Sequence, residues 1–180
     1  MSTITVRDAI VDDATRILRL VNELAARQLM LPRSPVSVIE NIRDYTIAEV
    51  DGKFAGCGSL HVVWTDLAEI RSLAVDPAVQ SKGIGRRIVE RLVVEAERLG
   101  IARLFAFTYV PGFFDKMGFH VVEHASMPHK VFHDCMNCPK FNACDEIAML
   151  RVLKEVDEEH QRGPLSLPRA GMLPLPRVSG

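Results

Sequence analysis

Alternation of hydrophobic and polar positions predicts that the N-terminal half of the chain is rich in strands. Runs in which branched or apolar residues alternate with polar ones lie at 3–7, 45–50, 54–63 and 67–75. The dipeptide Asp51-Gly52 separates the second run from the third and is a strong hairpin signal. We therefore expect strands two to four to form an antiparallel meander.

Apolar positions spaced for one face of a helix occur in two places. The first run follows the capping residues Asp12 and Asp13, and its apolar residues are Ile17, Leu20, Val21 and Leu24. The second run begins at Gly83 and ends at Gly100, and its apolar residues are Ile84, Ile88, Leu92, Ala96 and Leu99. Ser34 followed by Pro35 indicates the start of one more short helix.

A mostly apolar strand is predicted at 101–108, directly after the long helix, and it has the character of a strand buried on both faces. A short helix or turn at 111–117 and two last strands at 119–123 and 147–153 follow. The predicted fold class is mixed α/β. It has a mostly antiparallel sheet, a central parallel pair formed by strands four and five, and flanking helices.

The loop between strand four and the long helix carries the pattern Gln80-x-x-Gly83-x-Gly85. A loop that opens into a helix presents N–H groups without partners inside the helix, and the helix dipole favours an anion there. The pattern lacks the Gly-Lys-Ser/Thr ending of a P-loop and the third glycine of a dinucleotide fingerprint. We interpret it as a pyrophosphate site, to which Lys82, Arg86 and Arg87 add charge. The alternative is an ordinary turn with glycines for close packing.

Composition removes several other function classes. The chain has 180 residues, 48% of them hydrophobic, which is enough for one globular domain with a substantial core. A formal net charge of −1 argues against a nucleic-acid partner, and no apolar run approaches the ~20 residues that span a bilayer. The first residues lack the layout of a secretory signal. We therefore expect a soluble cytoplasmic protein without a membrane partner.

Together with its flanking strand and helix, the loop resembles the coenzyme A pyrophosphate loop of the GNAT family of N-acetyltransferases. The resemblance implies an acyl-CoA N-acyltransferase fold and an N-acetyltransferase domain at 1–155. It also implies that acetyl-CoA is the cosubstrate and lies where strands four and five separate. Composition, independently of the resemblance, predicts a cysteine-rich insertion at 125–146 and a proline-rich, flexible tail at 156–180. The implied pyrophosphate site comprises Gln80, Ser81, Lys82, Gly83, Ile84, Gly85 and Arg86.

The same resemblance places the rest of the cosubstrate along strand four. Backbone groups of Leu73, Ala74 and Val75 would hydrogen-bond the pantetheine arm, and one amide there would polarise the thioester carbonyl. Such an amide stabilises the oxyanion that develops when an amine attacks.

Glu69 on strand four is the candidate general base. A carboxylate in a mostly apolar strand has to be solvated or paired, and an acceptor ammonium has to lose a proton before attack. The alternative is an edge-strand glutamate paired with Arg71. The family's tyrosine pattern, Phe-Tyr-x-x-x-Gly-Phe, corresponds to 113–119 and has Phe114 in the tyrosine slot. Tyr109 is the substitute candidate for a general acid, with an aromatic pocket wall as its alternative.

Arg33 and Arg71 are the candidates for holding a carboxylate of the acceptor, because guanidinium binds carboxylate as a bidentate fork. Arg33 precedes the second helix, in a region that borders the acceptor site in this family. Arg71 shares strand four with Glu69 and, by the period of two, points to the same face. The alternative for each arginine is a solvated surface position.

The insertion before the last strand carries a compact cysteine cluster. His133, Cys135, Cys138 and Cys144 have the spacing of a metal knuckle, in which three thiolates and one imidazole complete a tetrahedral zinc site. A structural zinc would supply folding energy to a segment with few core residues. The alternatives are a redox pair or free thiols, and His129 is an alternative ligand to His133.

Three segments narrow the resemblance: 31–34, 68–75 and 144–149. Together they are similar to the short, stand-alone bacterial N-acetylglutamate synthases. That resemblance implies acetylation of the α-amine of L-glutamate for arginine biosynthesis, and hence an acidic amino acid as the small-molecule partner. One alternative is an enzyme that acetylates another small amine or a protein N-terminus. The other is a non-catalytic sensor of acyl-CoA or of a metal. The oligomeric state is left open, with a homodimer as one option.

Overall fold

The computed structural model describes residues 2–126 and 144–155, which build one open sheet with helices on both faces. The strands of these two segments are β1 (Ile4–Asp8), β2 (Tyr45–Val50), β3 (Lys53–Val62), β4 (Leu67–Val75), β5 (Arg103–Thr108), β6 (His120–Val121) and β7 (Ile147–Val152). Their α-helices are α1 (Ala14–Ala26), α2 (Pro35–Glu40), α3 (Ile84–Arg98) and α4 (Pro111–Asp115). Short 3-10 turns lie at Val11–Asp13, Ile42–Asp44, Pro77–Val79 and His124–Ser126.

The strand order is β1-β2-β3-β4-β5-β7-β6, and β4 and β5 are the parallel neighbours in it. The other neighbouring pairs are antiparallel. Because α3 joins the parallel pair, β4, α3 and β5 form the predicted strand–helix–strand unit. The predicted mixed α/β class is confirmed. In the described part of the chain, no helix is long and apolar enough to cross a membrane.

The hairpin between β2 and β3 forms where the Asp51-Gly52 dipeptide predicts it. The two residues have φ values of +51° and +73°, as a type I′ turn requires. Val50 and Lys53 are Cα partners, so the turn contains these two residues alone. Glycine adopts this conformation without steric cost, and aspartate tolerates it better than most residues.

α3 covers one face of the sheet with four of the five residues predicted for its apolar side. Ile84, Ile88, Leu92 and Ala96 are buried in a cluster with residues of β2 to β5 and β7. The prediction is wrong for Leu99, which is 55% exposed because the helix has ended before it. The apolar side of α3 therefore stops one turn earlier than the sequence spacing indicates.

Two glycines of β3 allow α3 and β4 to lie close to that strand. A Cβ at Gly58 would stand 2.8 Å from Cγ2 of Ile88, and a Cβ at Gly56 would stand 2.7 Å from the carbonyl oxygen of Ala74. Ile88 is fully buried, and burial of such a side chain contributes about 1.5–3 kcal/mol. This close packing fixes the position of α3, whose first residues border the loop after β4.

α1 and α2 pack on the opposite face, because successive residues of a strand point to opposite sides. Ile47 of β2 belongs to the α1 cluster, whereas the next residue, Ala48, belongs to the α3 cluster. The predicted cap of α2 is confirmed, since Ser34 Oγ accepts a hydrogen bond from the Ser37 amide at 3.1 Å with Pro35 at the first helical position.

Asp13 does not cap α1 with its side chain, which corrects the prediction from the sequence. Its carboxylate is fully buried, accepts a hydrogen bond from the Ile10 amide at 2.9 Å and is paired with Arg7 and Arg16. Burial alone would raise the pKa of Asp13, but the hydrogen bonds from Arg7 and Ile10 and the two positive charges lower it below its ordinary value. The ion pair between Arg7 and Asp13 ties β1 to the start of α1.

The last elements are shorter than predicted. β5 begins at Arg103 rather than at residue 101, and the run 119–123 contains only the two-residue strand β6. Phe119 is buried against Phe114 instead, with ring centroids 5.2 Å apart. The predicted tail at 156–180 and most of the predicted insertion at 125–146 lie outside the described residues.

Candidate active site

A cleft opens between β4 and β5 because the two strands pair only at their N-terminal ends. The paired residues are Leu67 with Arg103, Ala68 with Leu104 and Glu69 with Phe105. Beyond this point β5 continues beside β7, and β4 continues beside β3. The separation predicted for strands four and five is therefore present.

A β-bulge in β4 lies beside this cleft. The register of β3 and β4 shifts between Cys57 and Ser59, so that Ser72 and Leu73 together oppose Gly58. Ser72 has a φ of +53°, in the left-handed region. This conformation costs a residue other than glycine about 1–3 kcal/mol and persists where surrounding contacts fix it. Bulges re-aim backbone groups and are frequent next to active sites.

The loop after β4 leads into the N-terminus of α3 and is open to solvent. Asp76 accepts a hydrogen bond from the Ala78 amide at 2.9 Å and fixes the turn that follows β4. Ser81 and Gly83 have φ values of +69° and +75°, and Gly83 is an N-cap without a side chain. The first N–H groups of α3 therefore border an exposed loop, which is the arrangement of an anion site.

Packing does not explain the glycines of this loop, which argues against the alternative of an ordinary close-packed turn. A Cβ at Gly83 would meet no heavy atom within 4 Å, so its positive φ is the reason for glycine. A Cβ at Gly85 would make ordinary contacts, at 3.5 Å to Phe113 and 3.6 Å to Val75. The neighbouring Ile84 is buried in the core and anchors the helix start.

The polar side chains predicted for the pyrophosphate site surround the same helix start. Ser81, Lys82 and Arg86 are exposed. Arg86 Nε donates to Glu90 Oε1 at 2.8 Å in an exposed ion pair, and such pairs are weak enough to exchange partners. Gln80 Nε2 donates to the carbonyl oxygen of Val75 at 3.4 Å. The loop thus brings two cations to the helix N-terminus.

Glu69 lies where β4 leaves β5. It is 3% exposed and forms the last pair between these strands, with Phe105. On the other side its Cα partner is His61 of β3, so the side chains of Glu69 and His61 share one face of the sheet. His61 Nδ1 lies 3.2 Å from Asp44 Oδ2. Since β4 has neighbours on both sides here, Glu69 does not lie on an edge strand, and this part of the alternative is wrong. Its pairing with Arg71 stays a prediction.

Arg33 is held at the bulge by both its backbone and its side chain. Asn22 Oδ1 accepts from the Arg33 amide at 2.9 Å, and Asn22 Nδ2 donates to the Arg33 carbonyl oxygen at 3.0 Å. Arg33 Nε donates to Ser72 Oγ at 3.1 Å. Arg71, which shares the face of Glu69, is half-buried, as Arg33 is. Neither arginine occupies the fully solvated position that was the alternative for it.

Tyr45 completes the contacts around Ser72. Its hydroxyl donates to Ser72 Oγ at 3.4 Å, and the side chain is 3% exposed. Burial raises the pKa of Tyr45, while the hydrogen bond to Ser72 and the charge of Arg33 lower it in part. The Cys57 thiol donates to the Ser72 carbonyl oxygen at 3.7 Å, and burial raises the pKa of Cys57 to about 12. Cys57 is therefore an unreactive, buried thiol.

The model of the acetyltransferase (GNAT) family matches residues 16–119, more than half of the chain. The chain belongs to the GNAT family.

Relatives of this GNAT protein align with most of its length. An uncharacterized N-acetyltransferase of Chlorobaculum tepidum is 42% identical over 148 residues, which are 82% of this chain and 96% of that protein. An amino-acid acetyltransferase of Mycobacterium tuberculosis is 39% identical over 132 residues, which are 72% of this chain and 75% of that protein. These relatives and the fold show that the GNAT chain is an acyltransferase.

A solved structure shows the same architecture. N-acetylglutamate synthase of Neisseria gonorrhoeae, in complex with coenzyme A and N-acetyl-glutamate, superposes with a TM-score of 0.74 at 26% identity. The alignment covers 85% of this chain but only 36% of that longer protein. The present GNAT chain therefore corresponds to about a third of the synthase.

The GNAT tyrosine slot is a core position in this protein. Phe114 is 4% exposed and makes edge-on ring contacts with Phe113 and Phe119, each at 5.2 Å between centroids. Tyr109, the substitute candidate, is half-buried, and its hydroxyl donates to Asp145 Oδ1 at 2.8 Å. The sequence pattern did not indicate Asp145 as a partner of Tyr109.

The proposed metal knuckle falls mostly outside the described residues. His133, Cys135 and Cys138, and the alternative ligand His129, belong to the undescribed segment. Cys144 is described, and it is exposed with a free thiol. Among the described residues, no three histidine, cysteine or acidic side chains form a group that could hold a metal.

Three neighbours of the candidate site were not identified from the sequence. Asn22 and Ser72 hydrogen-bond Arg33, and His61 lies beside Glu69 on the same face of the sheet. The signal for His61 was present, because the turn joining β3 to β4 sets the register that makes residues 61 and 69 partners. Ser72 could not be found in this way, since its position depends on the bulge.

Proposed function

We propose that this GNAT enzyme transfers the acetyl group of acetyl-CoA to the α-amine of L-glutamate, giving N-acetylglutamate for arginine biosynthesis. Support comes from the names of its relatives, an amino-acid acetyltransferase and an N-acetylglutamate synthase. The acceptor is then a small molecule with two carboxylates and one ammonium group. The candidate site has to bind both negative charges and remove one proton.

The observation that carries the acceptor assignment is the position of Arg33. Its Nε is engaged by Ser72, and in the described part of the chain its two terminal nitrogens have no hydrogen-bond acceptor. A guanidinium held in this way offers two parallel N–H groups to a carboxylate. Arg71 on the face of Glu69 supplies the second cation. Two arginines match a substrate with two carboxylates and would disfavour a polyamine.

Acetyl-CoA would bind along β4 and over the N-terminus of α3. The pyrophosphate would accept hydrogen bonds from the amides of the loop 80–86, with Lys82 and Arg86 adding charge. The pantetheine arm would enter the cleft and form hydrogen bonds with the backbone of Leu73, Ala74 and Val75. These residues of β4 are not paired with β5. The thioester then reaches the bulge, close to the residues that hold the acceptor.

Glu69 would act as the general base in a direct reaction between the two bound substrates. It takes a proton from the α-ammonium group, directly or through a water, and the free amine attacks the thioester carbonyl carbon. A β4 amide at the bulge donates to the resulting oxyanion. The tetrahedral intermediate then collapses: its nitrogen gives its extra proton to water, the C–S bond breaks, and coenzyme A leaves as the thiolate.

Tyr109 is the proposed source of the proton for the leaving thiolate, with water as the other source. Its hydroxyl already donates to Asp145, so proton transfer from Tyr109 requires that this hydrogen bond be exchanged for one to sulfur. Phe114, in the family's tyrosine slot, has no proton to give. We therefore expect loss of Tyr109 to have a smaller effect than loss of Glu69.

We further propose that residues 1–155 form the catalytic domain, that 156–180 is a separate tail, and that the insertion holds a structural zinc. The zinc ligands would be His133, Cys135, Cys138 and Cys144, of which Cys144 presents an exposed thiol next to β7. A bound zinc would stabilise the segment that leads to Asp145. Metal analysis of the purified protein would find about one zinc per chain under this proposal and none if the thiols are free.

Steady-state kinetics with individual amino acids test the proposed function. Release of coenzyme A would be measured with L-glutamate, L-aspartate, L-glutamine and a panel of amines. We expect the highest kcat/KM with L-glutamate, and a large loss with L-glutamine because one carboxylate is replaced by an amide. Equal rates with L-glutamate and an uncharged or cationic amine would contradict the acceptor assignment, although the acetyltransferase activity itself would stand.

A further inference from the structure

We propose that Ser72 is a positioning residue that links the acceptor-binding arginine to the β4 bulge next to the thioester. This inference rests on the proposed function, in which Arg33 binds a carboxylate of the acceptor. Ser72 lies between the proposed acceptor site and the backbone that would bind the cosubstrate. One of its neighbours in space is Arg33, and the next residue in the chain is Leu73, whose backbone belongs to the proposed pantetheine track.

Ser72 accepts hydrogen bonds through both its side chain and its backbone. Its Oγ accepts from Arg33 Nε at 3.1 Å and from the Tyr45 hydroxyl at 3.4 Å. Its carbonyl oxygen accepts from the Cys57 thiol at 3.7 Å. Ser72 is 8% exposed, so these groups meet away from bulk water. In such surroundings a hydrogen bond from a guanidinium is stronger than one in solvent.

The hydrogen bond to Ser72 also decides which edge of Arg33 is offered to a substrate. With Nε engaged and the backbone fixed on both sides by Asn22, the guanidinium can rotate little. Its two terminal nitrogens remain as the donor pair, and they present an end-on fork to a carboxylate. Without Ser72 the guanidinium would be free to turn, and the acceptor would lose this orientation.

The same residue carries the left-handed backbone conformation of the bulge. Its φ of +53° is one that serine rarely adopts, and the contacts of Oγ and the carbonyl oxygen hold it there. Leu73 follows directly, so the direction of its N–H depends on this conformation. Ser72 thus fixes both the orientation of the Arg33 guanidinium that would bind the acceptor and the direction of the Leu73 N–H beside the thioester.

Two substitutions separate the two roles of Ser72. Ser72→Ala removes the acceptor oxygen while retaining a Cβ, and Ser72→Gly removes the oxygen and also relieves the backbone conformation. We expect Ser72→Ala to raise KM for L-glutamate about tenfold, the order of one hydrogen bond to a charged group. Ser72→Ala should also lower kcat, because the Oγ contacts that hold the left-handed conformation are lost and alanine adopts it only at a cost. Ser72→Gly should show the same glutamate effect with a kcat closer to that of the wild type, because glycine adopts this conformation without strain.

Arg33→Gln and the double variant with Ser72→Ala complete the test. If Ser72 acts through Arg33, the double variant will have the same glutamate KM as Arg33→Gln alone, because the two effects are not additive. Additive effects, or an unchanged glutamate KM in Ser72→Ala and Ser72→Gly, would overturn the inference. An unchanged glutamate KM in Arg33→Gln would instead overturn the proposed carboxylate site. Acetyl-CoA binding, measured by titration, confirms that each variant is folded.

Discussion

Glu69 of β4 and Phe105 of β5 form the last residue pair that joins these two strands. The carboxylate is therefore at the closed end of the cleft, where the sheet is still continuous and the side chain is 3% exposed. A group in this position is fixed by the pairing of β4 on both sides. Under the proposed function, this carboxylate takes a proton from the amine that attacks the thioester.

The first prediction concerns this carboxylate. Glu69→Gln should lower kcat about 10²–10⁴-fold, the range for loss of a general base. The loss should shrink as the pH rises, because a larger share of the acceptor is then already the free amine. Acetyl-CoA should bind Glu69→Gln as tightly as it binds the wild type. Glu97→Gln, on the exposed side of α3, is the matched control and should be fully active.

A glutamine at position 69 that keeps the wild-type kcat at neutral pH would show that another group removes the proton. A parallel loss of acetyl-CoA binding would show that Glu69 holds the cosubstrate instead. Isothermal titration with acetyl-CoA and a pH profile of kcat distinguish these outcomes.

The second prediction compares two glycines with the same backbone conformation. Gly83 and Gly52 have φ values of +75° and +73°, and a Cβ at either position would meet no heavy atom within 4 Å. Alanine at either place should lower the free energy of unfolding by about 1–2 kcal/mol, the cost of a left-handed residue other than glycine. Only Gly83→Ala should also raise KM for acetyl-CoA, since it alters the amides at the start of α3.

Chemical denaturation and acetyl-CoA kinetics on both variants check this comparison. If Gly52→Ala raises KM for acetyl-CoA as much as Gly83→Ala does, the effect is a general consequence of lower stability. The loop would then have no specific part in binding the cosubstrate.

The third prediction concerns the buried carboxylate of Asp13. Because its pKa in the folded protein is below the ordinary value of 3.8, ionised Asp13 stabilises the fold at all pH values above about 4. This contribution is lost as the pH falls through the folded-state pKa. Asp13→Asn removes the carboxylate partner of Arg16 and one of the two carboxylate partners of Arg7, and should cost about 1.5–3 kcal/mol at pH 7, the range for hydrogen bonds to charged groups.

Urea unfolding of Asp13→Asn as a function of pH provides the measurement. The difference from the wild type should be constant near neutral pH and should decrease below pH 4. Asp12→Asn at the exposed neighbouring position is the control and should change stability little. A difference that grows on acidification would contradict the sign derived from the lowered pKa.

The fourth prediction concerns the close approach of α3 to β3. Gly58→Ala would place a Cβ 2.8 Å from Ile88 Cγ2, and overpacking of this kind costs about 1–3 kcal/mol. Gly112→Ala in α4 is the control, because a Cβ there meets no heavy atom within 4 Å. We expect thermal unfolding to show a lower Tm for Gly58→Ala only. Equal Tm values for the two variants would mean that α3 is not in tight contact with β3.

The fold was predictable where local residues determine it. The Asp51-Gly52 turn forms the hairpin because both residues adopt positive φ, and the spacing of Ile84, Ile88 and Leu92 places α3 on the sheet. Both features depend on residues that are close together in the chain. The end of α3 was less well predicted, because hydrophobic spacing does not show where the helix stops.

The centre of the candidate site was only partly predictable. Arg33 and Glu69 were identified from residue type and position, but the contact of Arg33 with Ser72 joins residues 39 positions apart. That contact exists because a bulge shifts the register of β4, and no local pattern in the sequence marks a bulge at a serine. The pairing of His61 with Glu69, by contrast, could have been predicted, because the turn joining β3 to β4 sets the register of the two strands.

Competition among acceptors is the sharpest test of L-glutamate as the substrate of this enzyme. The wild-type enzyme would be incubated with acetyl-CoA and an equimolar mixture of the common amino acids, and the products would be separated and quantified by mass spectrometry. In such a mixture each product forms in proportion to kcat/KM for its acceptor. We expect N-acetylglutamate as the main product. A main product from a neutral or basic amino acid, or no acetylated amino acid at all, would contradict it.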